Sequence, residues 1–373
     1  MRMPLLLPVL TGLLISLSVI HIPAAGADVV KPLRVAVAGI AHGHSGWILS
    51  RQNKGDIALV GIYEPDTALA GRSAARYHLD RKLFYTDLGA MLDAVKPSAV
   101  LAFGPVNAHL AAVEACAPRG IDVMVEKPLA ASLSQALRMD SLARTYKIRL
   151  LTNYETSWYP SVAKTMQLVQ DSLYAGTVRK VVIHDGHQGP VEIGCGPEFL
   201  AWLTDPVGNG GGALMDFGCY GANLMTQLMK GEVPLSVEAV TRQFKPKIYP
   251  KVEDDAVIIV NYRTAQCVIQ ASWNWPFSRK DMEVYGDKGY VLAPDKQTLV
   301  LRTAEKSPPQ VRQVTAADIP VYEDPFAYLA AVIGGKEQMG AYGLYTLSNN
   351  LIVMRILEAA KESAKSGQPV HLQ

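Results

Sequence analysis

Residues 33–46 read Leu-Arg-Val-Ala-Val-Ala-Gly-Ile-Ala-His-Gly-His-Ser-Gly. The first six are mostly apolar and do not alternate, which suits a strand buried on both faces. Gly39 ends the run, and the glycine-rich turn to Gly46 opens a helical stretch reaching about Gln52. That order aims backbone amides at a bound phosphate. Further apolar runs follow at Ile57–Tyr63, Ala99–Phe103 and Val123–Val125, with helical stretches Ala68–Tyr77, Leu88–Val95 and His109–Ala117 between them. Strands alternating with helices at this spacing predict a doubly wound parallel sheet.

After about residue 150 the pattern changes. Val178–His184, Leu235–Arg242, Ala256–Tyr262, Cys267–Trp275 and Asp281–Tyr285 read as longer strands with few helices between them. They predict an α+β domain with a mostly antiparallel open sheet. Helices are expected over Gly212–Lys230, Asp324–Ile333 and Leu344–Ser366, the last packing back on the first domain. The expected division is 28–152 for the first domain and 153–373 for the second.

Residues 1–27 read as a secretory signal peptide. Arg2 precedes the apolar stretch Leu5–Ile20, and Ala25-Gly26-Ala27 fits a small-x-small cleavage site. The run is shorter than the roughly 20 residues of a spanning helix, so a secreted or periplasmic protein without a stable membrane anchor is expected. Of the 373 residues 49% are hydrophobic and 19% charged, and the net charge is +2 with no basic run. A nucleic-acid partner would need clustered Lys and Arg. Cys116, Cys195, Cys219 and Cys267 lack paired spacing and read as isolated thiols, with a Cys195–Cys219 bridge open in an oxidising compartment.

The turn positions Gly39, Ala41 and His44 stand where the dinucleotide fingerprint has three glycines. Only the first matches, although Ala41 is small enough for close approach. His42 and Gly43 complete the loop. Glu64 ends the second strand, 25 residues beyond Gly39. A carboxylate there accepts from both ribose hydroxyls and repels a 2′-phosphate, which favours NAD over NADP. Asp66 is a second candidate. Pro105 and His109 follow the third strand and Glu126-Lys127-Pro128 the fourth, all at strand carboxyl ends where such sheets bind ligands. The histidine spacings match no zinc signature, so no metal is expected.

Gly210-Gly211-Gly212-Ala213-Leu214-Met215-Asp216-Phe217-Gly218-Cys219-Tyr220-Gly221-Ala222-Asn223 leads three glycines into a helix. Asp216, Tyr220 and Asn223 fall on one face. A polar row among apolar neighbours is either hydrogen-bonded internally or lines a site.

With the strand–glycine–helix opening and Glu126-Lys127-Pro128, this stretch resembles the Gfo/Idh/MocA oxidoreductases from about Arg34 to Glu362. The resemblance implies a Rossmann domain for residues 28–152. It implies that Lys127 contacts the reacting hydroxyl and the nicotinamide ribose, its bond to proline often being cis, and that Asp216 orients the substrate. The position of Tyr220 is histidine in inositol dehydrogenases and tyrosine in the glucose–fructose oxidoreductase branch, which this chain resembles. A tyrosine has an ordinary pKa of about 10, so Lys127 is expected to supply the charge that lets Tyr220 act as acid and base.

The implied function is an NAD(P)-dependent oxidoreductase acting on a secondary hydroxyl of a carbohydrate, a sugar or glycoside, including a glycoside 3-dehydrogenase. Outside the cytoplasm NADH is not readily recycled, so a tightly held NAD is expected. The alternatives are a redox-neutral NAD-dependent glycosidase and a sugar-sensing protein without catalysis. Asn153, Tyr154 and Glu155 begin the second domain within reach of the cleft. Trp158 and Trp275 are candidates to stack on a sugar, with Trp273 on the same strand face as Trp275. Asn223 is taken as a substrate contact, and the open sheet face as the surface of a homo-oligomer.

Overall fold

A computed structural model describes residues 31–372. The expected signal peptide lies outside them. Of these, residues 32–372 form one compact unit. Its first sheet contains β1 (Leu33–Ala38), β2 (Ile57–Tyr63), β3 (Phe84–Tyr85), β4 (Ala99–Ala102), β5 (Asp122–Glu126) and β6 (Leu150–Asn153). The connecting helices are α1 (Ser45–Leu49), α2 (Thr67–Arg76), α3 (Leu88–Val95), α4 (His109–Cys116) and α5 (Leu133–Tyr146). The order β3-β2-β1-β4-β5-β6 is parallel throughout and reverses beside β1, the crevice where a nucleotide binds. β1 and β4 are buried because helices cover both faces, which explains their unbroken apolar runs. α1 is shorter than expected and ends at Leu49. Asp66 caps α2 by accepting from the amides of Ala68 and Leu69, a structural use of the second acidic candidate.

α6 (Pro160–Met166) leads to β7 (Val178–Gly186), α7 (Pro197–Leu203), α8 (Pro206–Asn209) and α9 (Ala213–Leu228). The remaining elements are β8 (Ser236–Arg242), β9 (Asp255–Asn261), β10 (Gln266–Ser272), β11 (Arg279–Gly286), β12 (Tyr290–Ala293), β13 (Thr298–Arg302), β14 (Gln310–Gln313), α10 (Pro325–Ile333), α11 (Leu347–Ser366) and β15 (Val370–His371). The second sheet runs β14-β13-β12-β11-β7-β10-β9-β8-β15. It is antiparallel except where β7 pairs with β10.

α9 lies on one face of this sheet, against β7, β9 and β10. The approach is close: a Cβ on Gly221 would stand 2.5 Å from Ile269, and one on Gly218 2.8 Å from Ile258. α11 packs on α9 and β8 and also touches α5 and β6. One buried cluster therefore runs from Val125 through Ile183 and Ile269 to Ile356. Among the described residues, no helix is long and apolar enough to cross a membrane.

β10 stops at Ser272 rather than continuing to Trp275. The Ser272 hydroxyl accepts from the Asn274 amide at 3.0 Å, a local turn that competes with the ladder. The four cysteines are unpaired thiols.

Candidate active site

Lys127 follows the last residue of β5, and its peptide bond to Pro128 is cis. The ammonium reaches across to the start of α9, where it donates to the Asp216 carboxylate and, at 3.0 Å, to the Asp216 carbonyl. Trp273 donates its indole N–H to the other Asp216 oxygen at 2.9 Å. The turn before α9 needs glycine: a Cβ on Gly212 would stand 1.9 Å from the Glu253 carbonyl. Gly212 and Leu214 donate their amides to the Glu253 side chain, which fixes the helix entry.

Burial works against the charge of Lys127, but the Asp216 carboxylate outweighs it and holds the ammonium above its ordinary value. Asp216 is held below its ordinary value: burial opposes its charge and Lys127 overrides the burial. The two form a charged, buried ion pair.

Tyr220 lies one turn further along α9. The Lys127 ammonium is 5.3 Å from the centre of its ring and the Lys280 ammonium 5.5 Å. Tyr154 meets the ring edge-on at 5.3 Å between centroids. Two cations beside one phenol do not produce a low pKa. Burial, reinforced by the carboxylates Glu155, Glu126 and Asp216, pushes it well above the ordinary value. This corrects the expectation that Lys127 brings Tyr220 toward neutrality. The charge of Lys127 is engaged by Asp216.

Lys280 and Asp185 escaped the sequence reading. They face each other across β11 and β7 on the side that carries α9. Lys280 donates to Glu155 at 2.6 Å, and the Tyr159 hydroxyl donates to the other Glu155 oxygen at 2.6 Å. Asp185 is fully buried with neither oxygen hydrogen-bonded, and burial raises it well above the usual carboxylate range. A signal was present: Val181-x-Ile183-x-Asp185 and Lys280-x-Met282-x-Val284 each place a charged residue on an apolar strand face.

The other expected residues divide. Asn153 donates to Glu126 at 2.5 Å, and Glu126 bonds His44 at 3.0 Å, so the glycine turn and the Glu126-Lys127-Pro128 stretch are tied together. Glu155 faces Tyr220 through Lys280, while Trp158 stands edge-on to Trp47 at 5.3 Å. Asn223 does not face the cleft. Its amide donates to the Leu344 carbonyl at 2.8 Å and to Asn350, pinning α9 to the segment entering α11. Trp275 sits edge-on to His184 at 5.8 Å with Arg279 4.7 Å from its ring. His184 alternates with Ile183 and Asp185, so Trp275 is on the face away from α9. Trp273 and Trp275 therefore do not share a direction.

Gly39, Ala41, Glu64, Pro105 and His109 line one cavity of about 440 Å³ at the switch point. Gly39 has φ +77°, and a Cβ there would stand 2.8 Å from Gly104. Gly104, Ala108, Ala111 and Ala112 keep the walls thin. The amides of Ala41 and Gly43 have no protein acceptor among the described residues, and His109 Nε2 is buried without a partner. These features fit a dinucleotide: small walls for its adenosine and free amides for its phosphates. The Glu64 oxygens already accept from the amides of Ile40 and Asp66, both at 3.0 Å, leaving one acceptor position on each for a ribose hydroxyl.

Glu198, Ala201 and Trp202 of α7 also line the cavity. Phe199 and Trp202 pack on His42 at 4.8 and 5.6 Å, and Arg72 of α2 lies 3.7 Å from Glu198. Helix α7 thus roofs the cavity, which the sequence reading missed.

Ligating atoms of His42, His44 and Glu126 lie within 4.8 Å of one another, as do those of His184, Asp281 and Glu283. In the first group, His42 Nδ1 accepts from the His44 amide at 3.0 Å and Asn153 donates to Glu126. In the second, Arg279 makes two 2.8 Å bonds to Asp281.

Residues 33–154 match the profile of an oxidoreductase family with an NAD-binding Rossmann fold, and residues 163–292 match the GFO/IDH/MocA C-terminal domain. The chain is 31% identical over 165 residues to dTDP-3,4-didehydro-2,6-dideoxy-alpha-D-glucose 3-reductase of Streptomyces antibioticus, covering 44% of this chain and 47% of that protein. It is 27% identical over 162 residues to the rhizopine catabolism protein MocA of Rhizobium meliloti, covering 42% and 45%. The chain thus spans about half the length of the curated relatives it matches. Among solved structures it resembles an aldose-aldose oxidoreductase from Caulobacter crescentus complexed with glycerol (TM-score 0.74, 22% identity, 92% of this chain and 100% of that one). It also resembles an inositol dehydrogenase homolog complexed with NAD+ from Azotobacter vinelandii (TM-score 0.78, 19% identity, 92% and 98%). At these identities the two structures speak for the fold.

Proposed function

The chain belongs to the Gfo/Idh/MocA oxidoreductase family, and from that premise we propose that it is an NAD-dependent oxidoreductase interconverting a secondary hydroxyl and a ketone on a sugar or glycoside. The observation that carries the reading is the buried Lys127–Asp216 ion pair one helical turn from Tyr220. When bound, the dinucleotide supplies the hydride acceptor, held by the Gly39–Gly43 turn, Glu64 and the α7 roof.

The residues of the chain handle the proton. Lys127 places a fixed positive charge beside the reacting oxygen, and Asp216 keeps that charge in position. Tyr220, protonated by burial, gives its proton to the carbonyl oxygen in the reducing direction. In the oxidising direction it takes the hydroxyl proton back as phenolate.

The α7 roof supports a cofactor retained between turnovers, reduced by one sugar and reoxidised by another acceptor. It suits a protein exported by residues 1–27 to a compartment without free NAD. Two measurements test this reading. Incubation with free sugars and glucosides plus an electron acceptor should give products two hydrogens lighter by mass spectrometry. Heating fresh, undialysed protein should release a nicotinamide nucleotide. Neither product nor nucleotide would refute it.

A further inference from the structure

Asn223 and Trp275, two of the expected sugar contacts, point elsewhere, and both carboxylate oxygens of Asp216 are already bonded. A different polar side chain stands at the ion pair. His187 follows the end of β7, and its backbone amide donates to the Ser272 carbonyl at 3.1 Å. Its ring meets the Phe217 ring edge-on at 5.0 Å between centroids, and the Lys127 ammonium is 5.5 Å from the centre of the same Phe217 ring. The imidazole interacts electrostatically with Asp216 of α9, Lys280 of β11, Lys127 at the end of β5 and Glu192 of its own loop. It therefore faces the cleft that these elements enclose.

The hydrogen on this ring has one place to sit. Gly189 donates its amide to Nδ1 at 3.0 Å, and burial keeps the imidazole neutral, near pKa 4. A neutral ring that accepts at Nδ1 carries its hydrogen on Nε2. Nε2 has no protein partner among the described residues, and His187 is only half-buried.

The loop that sets this tautomer is braced. Gly189 has φ +126°, a conformation open chiefly to glycine. Lys245 donates to the Gln188 carbonyl, to Glu192 at 2.6 Å and to the Trp273 carbonyl at 2.6 Å. The Tyr249 hydroxyl donates to Glu192 and accepts from the Val191 amide at 3.2 Å. Cys195, further along the loop, again lies within electrostatic range of Asp216 and Lys127. The loop thus holds an uncharged donor in a fixed direction next to the ion pair. A cation there would favour an acidic sugar, whereas a neutral N–H suits the oxygen of a hydroxyl.

Resting on the sugar oxidoreductase reading, we propose that His187 is a specificity-determining residue: its Nε2–H donates to a non-reacting hydroxyl of the same sugar ring whose reacting hydroxyl lies at Lys127. The enzyme selects among similar sugars by the presence and direction of that hydroxyl.

The test uses the full-chain protein with its cofactor, methyl glucosides and galactosides, and their 2-, 3-, 4- and 6-deoxy analogues. His187→Phe keeps a ring against Phe217 and removes the donor. His187→Gln returns an N–H at about the same reach. On the best glycoside His187→Phe should lower kcat/KM about three- to tenfold, the scale of one lost hydrogen bond, and His187→Gln should recover most of it. For one deoxy analogue still turned over, the parent should show that same loss and His187→Phe no further one, because both partners of the bond are then gone. Melting curves confirm that each variant folds. An equal loss from His187→Phe on every analogue, or a Gln variant no better than Phe, would overturn the assignment and leave the oxidoreductase reading standing. If no glycoside is turned over, that reading fails and binding decides. Titration followed by tryptophan fluorescence should then show the parent binding a methyl glycoside about three- to tenfold more tightly than His187→Phe. Equal affinities, or no binding by the parent, would overturn the assignment.

Discussion

Lys127 and Asp216 are 89 positions apart in the chain and bonded to each other in the interior. Lys127→Met leaves a buried carboxylate without a counter-charge, at a cost of about 3–5 kcal/mol by the behaviour of broken buried pairs. The same change should lower turnover by about 10²-fold or more, on the scale of a lost electrostatic contact to the reacting oxygen. Adding Asp216→Asn should recover much of the stability, read by urea unfolding, and none of the activity. A Lys127→Met enzyme with parental kcat would remove the lysine from the chemistry. Tyr220 gives a pH signature. Because its phenol is held above the ordinary value, the base form is scarce at neutral pH. Sugar oxidation should therefore climb roughly tenfold per pH unit toward alkaline pH, and ketone reduction should stay flat. Tyr220→Phe should abolish the slope. An oxidation profile that levels off below pH 8 would contradict the assignment.

Two helices decide what the site can hold. α9 carries Asp216 and Tyr220 on its cleft side and Asn223 beyond them, where it meets the entry to α11. Asn223→Ala removes one of two donors to the Leu344 carbonyl, Asn350 keeping the other at 3.0 Å, and should cost about 0.5–1.5 kcal/mol, the net worth of one hydrogen bond. The sugar KM should not change, which separates an internal tie from a substrate contact. α7 covers the dinucleotide cavity with Trp202 and the Arg72–Glu198 pair. Trp202→Ala should let the nucleotide escape on dialysis, measured as nucleotide released on heating, while the parent retains it. Equal retention would mean that α7 is not the restraint. α9 was legible from its glycines and polar spacing. The roof was not, because Pro197–Leu203 reads as an ordinary short helix and its role depends on what it covers.

Across the whole molecule, His42, His109 and His187 are held neutral, the last two near pKa 4, chiefly by burial. The unfolded chain takes up protons below about pH 6.5 while the folded chain does not until about pH 4, so stability falls as pH drops through that window. Each such imidazole contributes up to about 1.4 kcal/mol per pH unit. Asp185, Glu64 and Glu253, raised by burial, work in the opposite direction, while Glu155 and Glu192, held below their ordinary value by Lys280 and Lys245 against their burial, act with the histidines. The urea midpoint should fall between pH 6.5 and 4, and His109→Gln should flatten that fall. An unchanged slope would mean that His109 is not buried neutral. The same distinction between local and convergent properties separates what could be read early from what could not. The α/β class, the parallel first sheet, the mostly antiparallel second sheet, the glycine turn and the oxidoreductase resemblance follow from short-range periodicity and motifs, which the sequence alone determines. The high pKa of Tyr220, the engagement of Lys127 by Asp216, the inward turn of Trp273 without Trp275, and the meeting of Lys280 with Glu155 were decided only by tertiary structure. Burial and partnership are set by groups distant in sequence, and no local pattern specifies which of them converge.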